Sequence, residues 1–324
     1  MVRYLAVRSV QAAAIVFLVA TLTFVLLHLA PGDPVIASTE STLVRREVIE
    51  QQRRNFGLDR PIHVQYLRYL RNLSRGDLGY SFRERRSVWH AVRERIPNTL
   101  LLATAALLVM FGLGMLIGAV QAAVPRSRAD DALSILTLAV YSMPVFWLGL
   151  MLMLVFGLGL GWFPVGGAVD QVLYPHMSLL GKVGDRAVHL FLPALTLGLV
   201  GAAVTARYQR AAMLDVIRQD FVRTARAKGL SERTVFLKHA LRNALLPIVT
   251  LFGLTFPLLL SGAVLIESVF AWPGMGKFAV DALHGRDYNV VTGTAIIAAA
   301  MVVLGNLLAD LLYRVVDPRT RESS

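Results

Sequence analysis

A cationic segment, residues 220–247, carries side chains whose types and spacing are typical of a binding surface. Nine Lys or Arg residues and three acidic residues lie between Arg207 and Arg242. Gly229 divides the segment into two helix-forming pieces, because glycine readily adopts the left-handed conformation of a sharp turn. A polar helix-turn-helix of this kind suits docking to a cytoplasmic protein. An ordinary basic loop is the alternative interpretation, which explains the charge but not the ordered motif.

Motifs for catalysis and metal binding are missing from the sequence. The chain has no cysteine, which excludes disulfides, thiolate catalysis and cysteine metal sites. The motif His-Glu-x-x-His does not occur. The Gly-Lys pairs at Lys182 and Lys277 lack the upstream glycine and the following Ser or Thr of a phosphate-binding loop. We therefore expect no enzyme and no cofactor in this chain, so that active transport would require ATP hydrolysis by another chain.

Six apolar segments position the cationic segment and indicate a membrane protein. The 324 residues are 56% hydrophobic and only 17% charged, whereas soluble domains are about 25% charged. A helix that crosses a bilayer needs about 20 apolar residues. The segments that reach or approach this length are 9–30, 99–124, 132–160, 188–213, 244–266 and 290–313. The sequence predicts an all-α polytopic protein with six transmembrane helices.

The distribution of Lys and Arg predicts the orientation of these spans. The net charge of +12 is expected to serve orientation and contact with membrane lipid rather than nucleic acid. The basic loop 220–247 should be cytoplasmic, which places both termini in the cytoplasm as well. Loop 31–98 is then external. It carries thirteen basic and eight acidic residues, a weak conflict because loops of this length translocate largely regardless of charge.

The chain is expected to divide into three parts. Residues 1–30 form the tail and first span, 31–98 an external subdomain, and 99–324 a five-helix core with a cytoplasmic coupling loop at 214–243. Within the external part, helical patterns cover 45–57 and 61–73. A docking surface for an extracytoplasmic partner is its expected use, and a simple cap over the spans is the alternative.

The predicted spans have uncharged middles but contain prolines and glycine pairs. The ionisable residues of the spans lie near the span ends: His28, His189, Arg207, Glu267 and Asp310. A proton-coupled carrier would need such a residue at membrane depth, so this placement disfavours one. Pro144 and Pro257 are expected to kink helices that could line a pathway. The G-x-x-x-G pairs Gly114/Gly118 and Gly157/Gly161 favour close helix packing within the subunit over a dimer contact.

Residue types in the cationic segment predict its local geometry. Asp220 can cap or electrostatically favour the start of the first helical piece. Ser231 is a plausible N-cap of the second piece. Val235, Phe236 and Leu237 are expected to supply apolar surface for a groove.

Six fragments occur in order along the chain and together form a pattern. They are LAPGDP (29–34), FGLDRPIHVQYLRYLRNLSRGDLGYSF (56–82), RIPNTLLLA (95–103), RTARAKGLSERTVFLKHALRNALLP (223–247), VFAWPGMGKFAVDAL (269–283) and VDPR (316–319). With them the chain resembles, nearly end to end, a B-type permease subunit of the dipeptide and oligopeptide (peptide/nickel-type) ABC importers. The broader importer family begins its coupling signature with Glu-Ala-Ala, where this chain has Arg223, Thr224 and Ala225. It also has a proline where this chain has Arg242, and peptide-type sequences look similar to this chain at both places.

The resemblance implies a permease like those of type I ABC importers, in the bacterial cytoplasmic membrane. It implies ATP-driven import of di- or oligopeptides. Implied partners are a second homologous permease, two ATPase subunits that bind ATP and Mg²⁺, and an extracytoplasmic substrate-binding protein. The residues implied to couple to the ATPases are Arg223, Thr224, Ala225, Arg226, Ala227, Lys228, Gly229, Leu230, Ser231 and Val235.

Other functions stay open at this point. The same architecture could import nickel, glutathione or a glycoside. An ion-coupled carrier or channel is a more distant alternative, as is a structural or signalling protein that anchors partners.

The predicted orientation can be tested by thiol labelling, because the chain has no cysteine of its own. An impermeant reagent applied to intact cells should label Ser41→Cys in the external loop. It should label Ser231→Cys in the cationic segment only after lysis. Equal labelling of both variants in intact cells would contradict the six-span topology.

Overall fold

The structure, a computed structural model, describes residues 2–29, 59–81 and 83–316. The predicted helix over 45–57, the LAPGDP fragment beyond Leu29 and the VDPR fragment beyond Val316 lie outside these residues. The predicted helix over 61–73 is confirmed, because an α-helix runs from Ile62 to Ser74.

Most of the described residues are helical, as predicted. In chain order the helices are α1 Val2–Leu29, α2 Ile62–Ser74, α3 Val88–Ala123, α4 Arg128–Ser142, α5 Val145–Leu152, α6 Leu179–Ile217, α7 Asp220–Ala227, α8 Glu232–Ala244, α9 Leu246–Leu260, α10 Val264–Val269, α11 Met275–His284 and α12 Tyr288–Val316. Helix α5 continues as a π-helix over Met153–Gly159, the middle of α8 is a π-helix over Val235–Leu241, and a 3-10 turn covers Tyr174–His176. Strands β1 (Tyr80–Ser81) and β2 (Arg86–Ser87) form a short antiparallel hairpin in which Tyr80 pairs with Ser87.

Four of the described helices, α1, α3, α6 and α12, are long and apolar enough to cross a membrane. Two bent pairs bring the number of candidate spans to six: α4 with α5 and its π-helix, at 106°, and α8 with α9, at 43°. Six predicted segments therefore correspond to helical regions, but two need correction. Segment 132–160 is broken rather than continuous, and segment 244–266 ends its long helix at Leu260 and resumes in α10.

The break between α4 and α5 lies at the predicted proline. Met143 has φ −80° and ψ 135°, an extended conformation that ends α4, and Pro144 precedes the first residue of α5. A proline disfavours helical geometry in the residue before it and has no N–H to continue the helix. Pro257, in contrast, lies inside α9, and the bend in that region is at Leu245.

The chain forms two compact units, Met1–Thr99 with Pro273–Val303 and Leu100–Trp272 with Leu304–Ser324. The predicted three-part division stays a prediction. In the first unit, the Ser81 hydroxyl donates a 2.6 Å hydrogen bond to the buried Asp287 carboxylate. The Glu84 carboxylate lies between the guanidinium groups of Arg86 and Arg95. These bonds fix the hairpin to helices α3 and α12.

In the second unit, α3 and α6 cross at small residues. A Cβ atom at Gly114 would lie 2.5 Å from Thr205 Cβ, and one at Gly118 would lie 2.5 Å from the Ala206 carbonyl oxygen. Real side chains do not approach so closely, so both positions require glycine unless the helices separate. This geometry supports the interpretation of Gly114 and Gly118 as packing positions within the subunit.

An ion pair with a buried carboxylate lies close to this crossing. The Asp130 carboxylate accepts two hydrogen bonds from the Arg210 guanidinium, at 2.9 and 2.7 Å. It also accepts one from the Arg126 backbone N–H at 3.0 Å, and Gln121 donates to it from α3 at 3.3 Å. Asp130 is almost fully buried, and a buried carboxylate is tolerated when it is paired and hydrogen-bonded. The network joins the start of α4 to α3 and α6.

Gln209, the residue before Arg210, differs from Asp130 because its buried polar atoms are not paired among the described residues. It is fully buried, and among the described residues neither atom of its side-chain amide has a hydrogen-bond partner. Gln121 is equally buried but donates hydrogen bonds to Asp130 and to the Ser134 hydroxyl. We therefore expect the two glutamines to contribute to stability with opposite signs.

We predict that Gln209→Met will preserve or raise stability, because it keeps the side-chain shape and removes an unpaired amide that costs about 1–3 kcal/mol when buried. Gln121→Met is the matched control and should lower the free energy of unfolding by about 1–2 kcal/mol, since its partners lose hydrogen bonds. Thermal unfolding of the purified protein in lipid nanodiscs measures both changes. Equal destabilisation by the two variants would contradict this account.

Candidate coupling surface

Helices α7 and α8 and the turn between them form the candidate coupling surface, residues 220–244. Gly229 has φ +76°. Its N–H donates to the Arg226 carbonyl at 2.9 Å, and the Leu230 N–H donates to the Ala225 carbonyl at 3.4 Å. This pair of hydrogen bonds is the Schellman motif that ends many helices at a left-handed glycine. The predicted glycine turn is therefore present.

Both helix starts can be compared with the predictions. The Ser231 hydroxyl accepts a hydrogen bond from the Thr234 N–H at 3.4 Å, so Ser231 is the N-cap of α8, as predicted. Gln219, rather than Asp220, occupies the N-cap position of α7. Asp220 is the first helical residue and lies 3.6 Å from the Arg223 guanidinium. Its contribution is therefore a favourable charge at the helix start.

A small apolar core holds the coupling surface on the end of α6. Met213 and Val216 of α6 pack with Val222 and Ala225 of α7 and with Val235 of α8. Ala122 at the end of α3, together with Ala240 and Ala244, completes this cluster. Burial of these side chains fixes α7 and α8 against α6, because separating them would expose apolar surface.

The core requires a correction to the predicted groove. Val235 is only 1% exposed and Ala225 is buried, so neither side chain is available to a partner. Phe236 is half-buried, and Leu237 is exposed. The π-helical geometry of this part of α8 and its packing on α6 decide which of these three consecutive apolar residues points outward. Val235 and Ala225 support the surface rather than form it.

One of the predicted docking cations is already engaged within the chain. Arg226 donates two hydrogen bonds to the Glu232 carboxylate, at 2.9 and 3.2 Å, across the Gly229 turn. This bidentate geometry is the strong form of an Arg–carboxylate pair, but both partners are exposed, so solvent screens the pair. The pair joins α7 to α8. Sequence reasoning missed Glu232 because its pairing depends on the turn that brings the two helices together.

Cationic and apolar side chains predominate among the exposed residues of the surface. Arg223, Thr224, Ala227, Lys228 and Leu230 are exposed, as is Ser231. The cations Arg233, Lys238 and Arg242 are exposed on α8. Phe221, Leu230 and Leu237 add exposed apolar side chains. Phe221 was not predicted; its place in the first turn of an amphipathic helix is the signal that could have revealed it. Such a mixture suits a protein partner with acidic and apolar groups.

Possible catalytic or metal chemistry finds little support in the described residues. They contain no group of three or more His, Cys, Asp or Glu residues that could hold a metal ion. Glu267, expected near a span end with access to the interface, is instead fully buried in α10. Short helix α10 packs on α5 and α6, so this carboxylate lies inside the second unit.

Comparison with known sequences identifies the family. The family of binding-protein-dependent transport system inner membrane components matches residues 111–322, and its N-terminal membrane component matches residues 1–103. The chain belongs to this family. The resemblance drawn from the six fragments is thus confirmed, and this chain is a multi-pass permease subunit of an ABC importer.

Three relatives show which transport permeases of this family the chain resembles. It is 43% identical over 317 residues to the di/tripeptide transport system permease of Pseudomonas aeruginosa, covering 94% of each chain. It is 40% identical over 320 residues to the oligopeptide transport system permease of Bacillus subtilis, covering 98% of this chain and 99% of the relative. It is also 40% identical to the glutathione transport system permease of Salmonella paratyphi A, covering 99% of each chain. All three relatives are transport permeases rather than enzymes.

A solved structure confirms the fold of the permease. A chain of a methionine ABC transporter, solved in inward-facing conformations, matches with a TM-score of 0.53 at 18% identity. The match covers 71% of the permease and 97% of that chain. The predicted all-α fold of a type I importer permease is therefore correct.

Substitution of Gly229 should separate coupling from folding. A Cβ at Gly229 would have no atom within 4 Å, so the cost is conformational, on the order of 1 kcal/mol for Ala and more for β-branched Val. We predict that uptake and ATPase binding decrease least in Gly229→Asn, more in Gly229→Ala and most in Gly229→Val. Asn tolerates a left-handed conformation best of the three. Membrane insertion should persist.

The matched control for this series is Gly184→Ala. Gly184 lies in α6 and does not have positive φ, and a Cβ atom added there would likewise have no atom within 4 Å. This variant should retain uptake. Uptake by the reconstituted importer and co-purification of the ATPases measure the series. Wild-type uptake and full ATPase binding by Gly229→Val would show that this turn has no role in coupling.

Proposed function

We propose that this permease imports di- or oligopeptides across the bacterial cytoplasmic membrane. The observation that carries the proposal is the 43% identity to a di/tripeptide permease over 94% of both chains. The oligopeptide permease of Bacillus subtilis supports the same class of cargo. Similarity that extends over the whole length includes both the spans and the external part, and not only the coupling surface.

The proposed assembly follows that of a binding-protein-dependent importer. A second, homologous permease supplies the other half of the pathway. Two ATPase subunits bind ATP and Mg²⁺ on the cytoplasmic side, and a binding protein delivers the peptide from outside. Both termini lie in the cytoplasm, in agreement with Arg3 and Arg8 before the first span and Arg314 after the last.

The coupling surface offers a physical route for the energy of ATP hydrolysis. The Arg226–Glu232 pair and the buried cluster around Val235 join α7 and α8 into one body. The same cluster includes Met213 and Val216 of α6. A displacement imposed on α7 and α8 by closing ATPases therefore acts on α6. Because α6 crosses α3 with no free space at Gly114 and Gly118, the displacement extends to α3 and re-orients the spans.

Glutathione is the second candidate cargo. Its support is the 40% identity to a glutathione permease over 99% of both chains. Glutathione is itself a small peptide-like solute, so a peptide pathway suits its size and polarity. Nickel and glycosides rest only on the broader resemblance. An ion-coupled carrier conflicts with membership of a family of ABC importer components.

Reconstitution tests the function directly. The permease, its partner permease, the two ATPases and the binding protein are placed in proteoliposomes, and uptake of a labelled dipeptide, tripeptide and glutathione is measured. We predict ATP-dependent peptide uptake and no ATP hydrolysis by this chain alone, since it has no phosphate-binding loop. An ATPase variant that binds but does not hydrolyse ATP is the control. Uptake driven by an ion gradient without the ATPases would overturn the proposal.

A further inference from the structure

Helix α2 packs beside the end of the apolar helix α1, within the first unit. The hydroxyl oxygens of Tyr66 and Thr21 lie 2.7 Å apart. The ring of Phe24 packs against those of Tyr66 and Tyr69, with centroids 5.2 and 5.4 Å away. At the end of α1, His28 Nε2 lies 3.3 Å from Gln65 Oε1. Helix α2 therefore follows the last two turns of α1.

These contacts place α2 at the level of the membrane boundary. Thr21 precedes Leu29, the end of α1, by eight residues, which is about 12 Å along a helix. Helix α1 is a candidate span over Val7–Leu29 and exposes large apolar side chains, among them Leu22 and Leu26. That surface requires lipid. A helix bound to the last two turns of α1 must then lie where acyl chains meet headgroups.

The apolar surface of α2 fits this position. No whole residue of α2 is buried within the protein, although the Tyr69 hydroxyl oxygen is. Ile62 and Leu67 are 56% and 64% exposed. Tyr66 and Tyr69 are of the residue type that is enriched at membrane–water interfaces. Burial of the Tyr69 hydroxyl within the protein raises its pKa to about 12.

The charged side chains of α2 and of its C-cap residue, Arg75, are all basic. Arg68, Arg71 and Arg75 are exposed, and their spacing of three and four residues places them on one face. Helix α2 contains no Asp or Glu. In the described part of the chain no carboxylate forms an ion pair with these three arginines. Arginine binds phosphate well because its planar group donates several hydrogen bonds in a fixed geometry.

We infer that α2 is an interfacial helix that binds anionic phospholipids. Arg68, Arg71 and Arg75 contact the headgroup phosphates, and Leu67, one turn before Arg71 on the same side of the helix, enters the acyl region. The combination of a basic face, an exposed leucine beside it and attachment near the end of a span favours lipid over a water-soluble partner. This inference rests on the membrane-spanning fold and not on the proposed cargo.

The position of α2 can be measured with a spin label, since the chain has no native cysteine. In nanodiscs that contain the assembled importer, a label at Leu67→Cys should be more accessible to oxygen than to a water-soluble nickel chelate. Leu26→Cys on α1 is the lipid reference, and Arg128→Cys at the start of α4, exposed and outside the coupling surface, is the water reference. A Leu67 label that behaves like the Arg128 label would overturn the interfacial placement.

The choice of lipid can be measured locally with a fluorophore at Ser74→Cys, next to the arginines. Quenching by spin-labelled phosphatidylglycerol should exceed quenching by spin-labelled phosphatidylcholine. Arg68→Gln with Arg71→Gln should reduce this preference on the order of tenfold, and the two Arg→Lys changes should largely retain it. Arg85→Gln with Arg93→Gln is the matched control, because both residues are exposed in the same unit and the charge loss is equal.

Two results would contradict headgroup binding. The first is an equal effect of the two double Arg→Gln variants, which would mean that only total charge matters. The second is unchanged lipid preference in Arg68→Gln/Arg71→Gln together with weaker docking of the binding protein. That result would assign the basic face to a protein partner.

Discussion

The close crossing of α3 and α6 is the contact on which the second unit depends. At Gly114 and Gly118 the two helix backbones approach so closely that a single added methyl group would collide with Thr205 or with the Ala206 carbonyl. Helices in lipid gain little from hydrophobic association with one another, so close packing of small residues takes its place. Because the two helices have no room even for a methyl group at these two glycines, we expect α3 and α6 to move together.

The elements that reach the coupling surface extend from this crossing. Arg210 lies on α6 directly after Gln209, and it pairs with Asp130 at the start of α4. One turn further along α6, Met213 and Val216 form the base of the apolar cluster under α7 and α8. The order is therefore crossing, buried ion pair and coupling core along one helix. A force applied to the coupling core acts on a helix that is braced at two places.

Pairing within the chain decides which cations remain available for a partner. Arg210 is taken by Asp130, and Arg226 is taken by Glu232. Lys228 and Arg233, in contrast, are exposed on the coupling surface. Helix α2 carries two arginines, with a third at its C-cap, and contains no acidic residue. A count of basic residues in a loop therefore overstates its capacity to dock, since some of the charge serves the local fold.

The sequence by itself determined the features that depend on neighbouring residues or on composition. The lengths of the apolar runs predict the spans, because a bilayer requires about 20 apolar residues whatever their neighbours are. The Gly229 turn, the Ser231 cap and a distortion at Pro144 follow from the backbone preferences of one or two residues; that the distortion at Pro144 is a full break, and not a kink, does not. The family was recognised for a similar reason, because its fragments are contiguous.

Only the tertiary structure decided which side chains are buried and which distant residues meet. Val235 was expected on the surface but lies in the coupling core, because the π-helical part of α8 and its packing on α6 set the direction of each side chain. Asp130 and Arg210 are 80 residues apart in sequence, and no local pattern predicts their pairing. Gln209 and Gln121 are the same residue type in equally buried places, yet only Gln121 has partners among the described residues. Such differences depend on the register of one helix against another, which is a property of the packed chain and not of any segment within it.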